Sequence, residues 1–359
     1  MDLIYLSPVP WDSFAQRPHK FVQWFQRRHG GRVFWVQPYP TRLPQISDFR
    51  RLTGPGDRVP APRPDWLVLL SPRALPVEPL PGSGLVNGRL WRGVLDRLRG
   101  LAQSDAMLVI GKPSVLAAQL RAMLPDLPCV YDAMDDFPVF YRGFSRRMMR
   151  RREQTVAAAA DVIMASSTRL AQAWRMRHGD VRLVPNGLDW SAMTGLPQIA
   201  PGTRPVIGYL GTLAAWFDWA SLTALAEAAP QAEFRLIGPV FQPAPGPLPG
   251  NVTLHPPCPH DRAMAEMARF DIGLIPFLLN PLTASVDPIK YYEYRALRIP
   301  VISTAFGEMA LRGDAPGVYL LGDPVQVLAQ AMAQIGPRQP DQDFGQENDW
   351  DARFDAAGL

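Results

Sequence analysis

The chain has 359 residues, 47% hydrophobic and 19% charged, the balance of a globular protein long enough for two domains of average size. No apolar run approaches the roughly 18 residues that cross a bilayer; the longest, residues 156–165, is mostly alanine and is cut by Asp161. Net charge is +4, but residues 1–190 hold 27 Lys and Arg against 16 Asp and Glu, and residues 191–359 hold 10 against 17. The first half is therefore the one suited to an anionic ligand or surface.

The opening Met-Asp-Leu-Ile-Tyr-Leu is a strand-like run without a basic n-region, which points to the cytoplasm. Apolar runs predict strands at residues 3–6, 33–36, 66–70, 107–110, 129–131, 162–165 and 182–184. Helices are expected near 17–28, 89–101, 114–124, 140–160 and 168–177. Residues 37–65 and 71–88, rich in Pro and Arg, read as surface loops. The rhythm breaks near residue 190, and residues 191–204 read as a linker between domains 1–190 and 205–336. Strands then recur at 206–210, 234–237, 252–254, 272–275, 300–303 and 318–320. Helices fall at 219–229, 261–268, 288–297 and 324–335, before a tail over 337–359 with a short closing helix. Nearly continuous apolar strands alternating with helices predict two α/β domains, each a parallel doubly wound sheet. Ligands of such sheets bind beyond the carboxyl ends of the strands.

Cys129 and Cys258 form no metal motif and no expected disulfide, and the five histidines lack HxxxH or HExxH spacing. Neither a metal nor another cofactor is expected. The strongest local signal lies at residues 287–303. Asp287 is a good N-cap and Pro288 a good first helical residue, and a helix N-terminus is a natural seat for phosphate. Lys290 and Glu293 share a face of that helix, a cation for a phosphate and a carboxylate for two ribose hydroxyls. A plain surface Lys–Glu pair is the alternative, and Asp287 would compete with phosphate for the helix end.

Several pieces follow one another in order: Asp161-Val162-Ile163 with Ser166-Ser167; Val184-Pro185-Asn186-Gly187-Leu188-Asp189; Ile207-Gly208-Tyr209-Leu210-Gly211-Thr212; Leu236-Ile237-Gly238-Pro239; Asn251-Val252; Asp271 to Phe277; and the Lys290/Glu293 helix. With them, residues 160–305 resemble retaining GT-B glycosyltransferases of family 4, in the branch that assembles bacterial surface polysaccharides. Ser7-Pro8, Trp11 and Gln16-Arg17-Pro18-His19 are similar to a variant opening of that branch. The resemblance implies the GT-B fold, two Rossmann-like domains facing across a cleft, with a nucleotide-diphosphate sugar as donor in the C-terminal one. It makes Glu293 the ribose ligand, Lys290 a diphosphate contact, and Gly211-Thr212 the turn against the diphosphate. Pro259 and His260 border the nucleobase or form a plain strand–helix connection.

Two departures stand out. Ser285 occupies the place of a second glutamate eight residues before Glu293, with Asp287 the nearest carboxylate. Thr212 stands where arginine is common. Arg17 is expected to supply the missing cation from the facing domain. Asp132, Asp135 and Asp136, ending a strand of the first domain, are placed for sugar or acceptor hydroxyls; alternatively Asp135 or Asp136 caps the helix that follows. Trp11 and His19 are acceptor-side candidates, with a structural histidine as the alternative. The implied mechanism retains anomeric configuration by front-face attack, the leaving diphosphate assisting proton removal, so no strong protein base and no metal are required.

Arg146, Arg147, Arg150, Arg151 and Arg152 form a basic run, most of it on one arc of an amphipathic helix with Met148, Met149 and Val156 opposite. It suits an anionic membrane surface and a glycan or lipid-diphosphate-linked acceptor, or else is a solvated face. No aromatic-interleaved patch accompanies it, so nucleic acid is not an expected partner. The rival readings are an inactive nucleotide-binding scaffold and a GT-B-like epimerase.

Overall fold

The computed structural model describes residues 1–42, 63–78, 80–196 and 202–359, which divide into two compact units. Unit 1 holds Met1–Val184 and Ala357–Leu359; unit 2 holds Pro185–Ala356.

In chain order unit 1 contains β1 (Asp2–Leu6), α1 (Arg17–His29), β2 (Val33–Val36), β3 (Leu67–Leu70), α2 (Ser83–Arg99), β4 (Ala106–Ile110), α3 (Val115–Met123) and β5 (Cys129–Ala133). A 3-10 turn (Phe137–Phe140) then leads to α4 (Gly143–Ala159), β6 (Val162–Ala165), α5 (Thr168–Arg175) and β7 (Val181–Leu183). The described strands form one parallel sheet in the order β3-β2-β1-β4-β5-β6-β7. The strand order reverses between β1 and β4, and the crevice above that reversal is where such sheets bind ligands.

Unit 2 contains β8 (Val206–Leu210), α6 (Trp219–Ala228), β9 (Glu233–Ile237), β10 (Val252–His255), α7 (His260–Met267), β11 (Ile272–Ile275), α8 (Ile289–Ala296), β12 (Val301–Ser303), β13 (Val318–Leu320) and α9 (Pro324–Met332). It closes with α10 (Gln342–Glu347) and α11 (Trp350–Asp355). Its described strands are also parallel, in the order β10-β9-β8-β11-β12-β13, reversing between β8 and β11. At that reversal Gly208 and Gly273 are register partners. A Cβ on Gly208 would lie 2.2 Å from the Phe270 ring, and one on Gly273 2.5 Å from the Tyr294 ring. The bare backbone there leaves room for both rings against the sheet.

Side chains start most helices. Ser114, Ser167, Asp218, Asp323, Asp341 and Asp349 each accept a hydrogen bond from a backbone N–H of the turn they precede, typically worth about 1 kcal/mol apiece.

Two expectations shift. Helix α2 begins at Ser83 rather than Arg89, because the buried Asn87 side chain pairs with both backbone groups of Leu75 and holds the preceding turn. The passage between units comes at Val184–Pro185, ahead of the expected linker. Residues 185–190 are bonded into unit 2, Leu188 exchanging backbone hydrogen bonds with Asn348 and Trp350. The tail packs there too, apart from its last three residues, whose Ala357 and Gly358 carbonyls accept from the Arg182 guanidinium at 2.7 Å. Residues 197–201 of the expected linker, and residues 43–62 of the first loop, lie outside the described residues. Among the described residues no helix is long and apolar enough to cross a membrane.

Candidate functional site

In unit 2 the candidate site lies beyond β8 and β9, where two glycines turn the chain. Gly211 (φ +147°) and Gly238 (φ +146°) follow the two strands. A Cβ on Gly238 would lie 2.2 Å from the Gly211 carbonyl oxygen, and one on Gly211 2.6 Å from Lys290 Nζ. Both turns therefore need glycine, for conformation as well as for space. Lys290, from the first turn of α8, uses the gap: its ammonium rests against Gly211 and 5.2 Å from the Tyr209 ring centroid. Burial lowers its pKa, and the Glu293 carboxylate one turn along opposes that shift. Thr212 fixes the turn through its carbonyl, which accepts from the Tyr209 hydroxyl at 2.9 Å. The exposed Pro259 and His260 begin α7 at the end of the loop after β10. His255, at the end of β10, has a buried Nε2 with no hydrogen-bond partner among the described residues.

Asp287 does not cap α8; that place falls to Pro288, and no side chain caps the helix. The Asp287 carboxylate instead accepts from Arg312 at 2.7 Å, Tyr292 Oη at 2.9 Å and the Asn186 backbone N–H at 2.8 Å. Arg312 also donates to Tyr292 Oη at 2.7 Å and lies 4.0 Å over the Tyr291 ring. Asp287 thus anchors the helix start through this clasp, and the competition with phosphate expected of it does not arise. Arg312 carried no signal in the sequence, because its partner lies 25 residues away, with α8, β12 and a 3-10 turn (Gly307–Leu311) between them. Ser285, at the place of the second glutamate, is buried.

In unit 1, Arg17 and Asp132 meet as a buried ion pair at 2.9 Å, 4% and 0% exposed. Asp132 also accepts from Tyr5 Oη at 3.1 Å, and Arg17 donates to the Val184 carbonyl at 2.8 Å. Asp132 thus takes up the charge expected to serve as a second cation. Trp11 and His19 likewise turn inward. His19 Nδ1 accepts from the Gln16 backbone and its Nε2 lies 3.1 Å from the Trp11 carbonyl, fixing the loop after β1. Its ring packs on Trp11 and Trp35, and burial lowers its pKa. These contacts make His19 the structural histidine of the alternative reading.

Asp135 and Asp136 lie just past β5, and neither side chain caps the 3-10 turn. Asp135 is pushed up to about 7, by burial first and then by Asp132, with Arg17 opposing and Asp136 adding. Glu153 on α4 accepts from Tyr131 Oη at 2.9 Å and is pushed up to about 8, chiefly by burial. The folded state thus keeps protons that the unfolded chain has lost, and ionising either group costs stability. Unit 1 is expected to weaken as pH rises from the ordinary carboxyl range near 4 to about 8. Asp135→Asn and Glu153→Gln should each flatten that slope and add on the order of 2 kcal/mol at pH 8, read as a shift in urea midpoint.

On α4 the exposed side chains include Arg146, Arg147, Arg150 and Arg151, while Met149 and Val156 are buried. Arg152 departs from that surface: it is half-buried, with its Nε enclosed. Phe140 and Phe144 are exposed beside the start of the helix, 51% and 47%. Among the described residues no group of three His, Cys, Asp or Glu side chains is placed to hold a metal ion.

No family model matches the chain, and no curated protein matches it. Solved structures do. A trehalose 6-phosphate synthase from Burkholderia multivorans has a TM-score of 0.60 at 13% identity, covering 99% of this chain and 97% of that one. HepE of Anabaena, in complex with UDP, has a TM-score of 0.62 at 14% identity over 100% and 99% of the two chains. A trehalose-6-phosphate structure from E. coli, bound with UDP-2-fluoro glucose, has a TM-score of 0.64 at 12% identity over 99% and 98%. Identities this low carry the fold and nothing finer: the chain has the GT-B fold, two Rossmann-like units in one polypeptide.

Proposed function

We propose that this protein is a retaining glycosyltransferase, of the family 4 kind, that uses a nucleotide-diphosphate sugar. It moves the sugar to a glycan or lipid-linked acceptor in bacterial polysaccharide assembly. The observation that carries this reading is the Lys290 ammonium set against the Gly211 turn, at the N-terminal end of α8 and beyond the ends of β8 and β9. A diphosphate there meets a desolvated cation and the first amides of a helix, stabilisation suited to a charged leaving group. Glu293, one turn further along α8, is the ribose ligand, Thr212 belongs to the diphosphate turn, and Pro259 and His260 border the base. The structural neighbours solved with UDP and with UDP-2-fluoro glucose favour a uridine nucleotide. On the acceptor side, Asp135 and Asp136 receive sugar hydroxyls. Charge stabilisation on the leaving group comes from the protein, with no metal.

Calorimetric titration of UDP, GDP and dTDP tests the donor site. One nucleotide is expected to bind selectively, and Glu293→Ala to weaken it about 10- to 100-fold. Equal affinity in the variant would remove Glu293 from the site. Transfer to an acceptor separates this reading from a binding-only scaffold, which Thr212 in place of the usual arginine would favour.

The exposed Arg146, Arg147, Arg150 and Arg151, flanked by Phe140 and Phe144, are a surface for the inner face of an anionic membrane, each arginine adding about 1 kcal/mol. Replacing those four with glutamine is expected to abolish co-sedimentation with phosphatidylglycerol vesicles. Unchanged co-sedimentation would exclude this face as the membrane surface.

A further inference from the structure

A helix packed on a sheet ordinarily turns polar side chains outward, and the first half of α2 does not. Asn87, Trp91 and Leu98 form its buried stripe. Leu85, on the opposite face, is 80% exposed, and Val86 and Leu90 are exposed beside it, four residues apart and stacked into one ridge. Leu75 and Leu80, between β3 and α2, are exposed as well and are held beside the helix start. The Asn87 side chain takes both backbone groups of Leu75, and the Ser83 N–H donates to the Leu80 carbonyl. With Phe140 and Phe144 these make seven of the ten exposed large apolar side chains described in unit 1. Single apolar side chains are normal on a surface, but this clustering in two stretches marks an interaction face.

The fold sets the two stretches side by side. Gln119 Nε2 on α3 donates to the Gly84 carbonyl at 3.3 Å, and a Cβ on Gly84 would lie 3.1 Å from Val115 Cγ1. On its other side α3 is tied to α4, Arg121 Nε donating to the Ala159 carbonyl at 2.7 Å. Helices α2 and α4 therefore flank α3 on one face of the sheet, about 20 Å apart at ordinary helix spacing. Both apolar stretches follow the carboxyl ends of strands, β3 and β5, the edge on which the crevice opens. The charge around them has one sign. From Arg73 to Arg99 the exposed charged side chains are five arginines and Asp96, and Arg99 holds Asp96 at 2.8 Å. Beyond α3, α4 adds its four exposed arginines. An anionic bilayer offers both complements at once: acyl chains for the leucines, and headgroups for guanidiniums on stems that run alongside them.

We propose that the first two turns of α2, with Leu75 and Leu80, insert into the boundary between headgroups and acyl chains of an anionic bilayer. This is an apolar anchor separate from the charged face of α4. The arginines draw the protein to the surface and α2 enters it; one weak signal does not hold a protein on a bilayer, and two do. Since both helices begin at the carboxyl edge, the docked bilayer lies beside the crevice of unit 1, within reach of an acceptor's headgroup. That last step rests on the glycosyltransferase reading; the insertion does not.

The test places an environment-sensitive fluorophore at two sites of the full chain carrying Cys258→Ser, which leaves the buried Cys129 as the native thiol. On Leu85→Cys the emission is expected to shift to the blue with phosphatidylglycerol vesicles. On Met176→Cys, exposed just past α5 at the opposite edge of the sheet, it should stay unchanged. Leu85→Ser with Leu90→Ser, all α4 arginines intact, should weaken co-sedimentation at least about tenfold. Both side chains face water, so the urea midpoint and UDP affinity should not move. Full co-sedimentation of that variant, with no blue shift at position 85, would mean that charge alone binds the vesicles and would overturn the insertion. A blue shift that needs no vesicles and grows with protein concentration would also overturn it, assigning the face to a second copy of the chain. Loss of UDP binding with vesicle binding intact would fall on the donor-site reading instead.

Discussion

Arg312→Met is expected to lower the stability of unit 2 by about 3–5 kcal/mol, the cost of leaving one member of a buried ion pair alone. The Asp287 side chain is wholly buried and that of Arg312 is 15% exposed, so removing the guanidinium strands a carboxylate where water cannot reach it. The same change empties the slot over the Tyr291 ring and takes a donor from Tyr292 Oη. Arg312→Lys should recover little, because an ammonium cannot lie flat on an aromatic ring while reaching both oxygens. Asp287→Asn added to Arg312→Met should recover most of the loss, since the stranded charge is then gone. Urea unfolding followed by tryptophan fluorescence reads these differences. A loss below about 1 kcal/mol for Arg312→Met, the scale of an exposed pair, would show that Asp287 finds another partner or water. The clasp also sets the start of α8, which carries Lys290 and Glu293, so nucleotide affinity should fall with Arg312→Met and return in the double variant.

That clasp marks where sequence reading ends. Strands such as Leu3–Leu6, Ile272–Ile275 and Val301–Ser303 are legible because a sheet covered on both faces demands short, nearly continuous apolar runs. The i,i+3 spacing of Lys290 and Glu293 shows that they share a face, and a helix start beyond a strand end marks a ligand site. What the run of residues around Asp287 cannot convey is which way its carboxylate turns. Local chemistry makes it a good N-cap, and only the folded chain reveals that Arg312 and Asn186 claim it first. Arg17 is the same case: its partner Asp132 lies 115 residues away, so its charge looks available until the sheet brings β5 alongside. Helix α10 escaped because it is short and almost wholly polar.

The Arg17–Asp132 pair sets up the second large effect. Asp132→Ala is expected to destabilise unit 1 by about 3–5 kcal/mol, because the Arg17 guanidinium is left buried and Tyr5 loses its acceptor at 3.1 Å. Little can repack to help: a Cβ on Gly111 would already be 3.0 Å from Tyr5 Oη, so the hydroxyl is held closely on that side. Asp132→Asn keeps one acceptor oxygen where Arg17 and Tyr5 now use two, so it should lose less than Asp132→Ala but not recover both hydrogen bonds. The change also has a signature that simple loss of packing would lack. Asp135 is held near 7 by burial and by the Asp132 charge, against Arg17. Removing that negative charge while keeping the cation should lower the Asp135 pKa in either variant. The part of the stability slope due to Asp135 should then move to lower pH in Asp132→Asn, while the part due to Glu153 stays near 8. Urea midpoints between pH 4 and pH 9 resolve the two. If the slope of Asp132→Asn matches the wild type throughout, Asp135 does not feel Asp132, and its proton is held by burial alone.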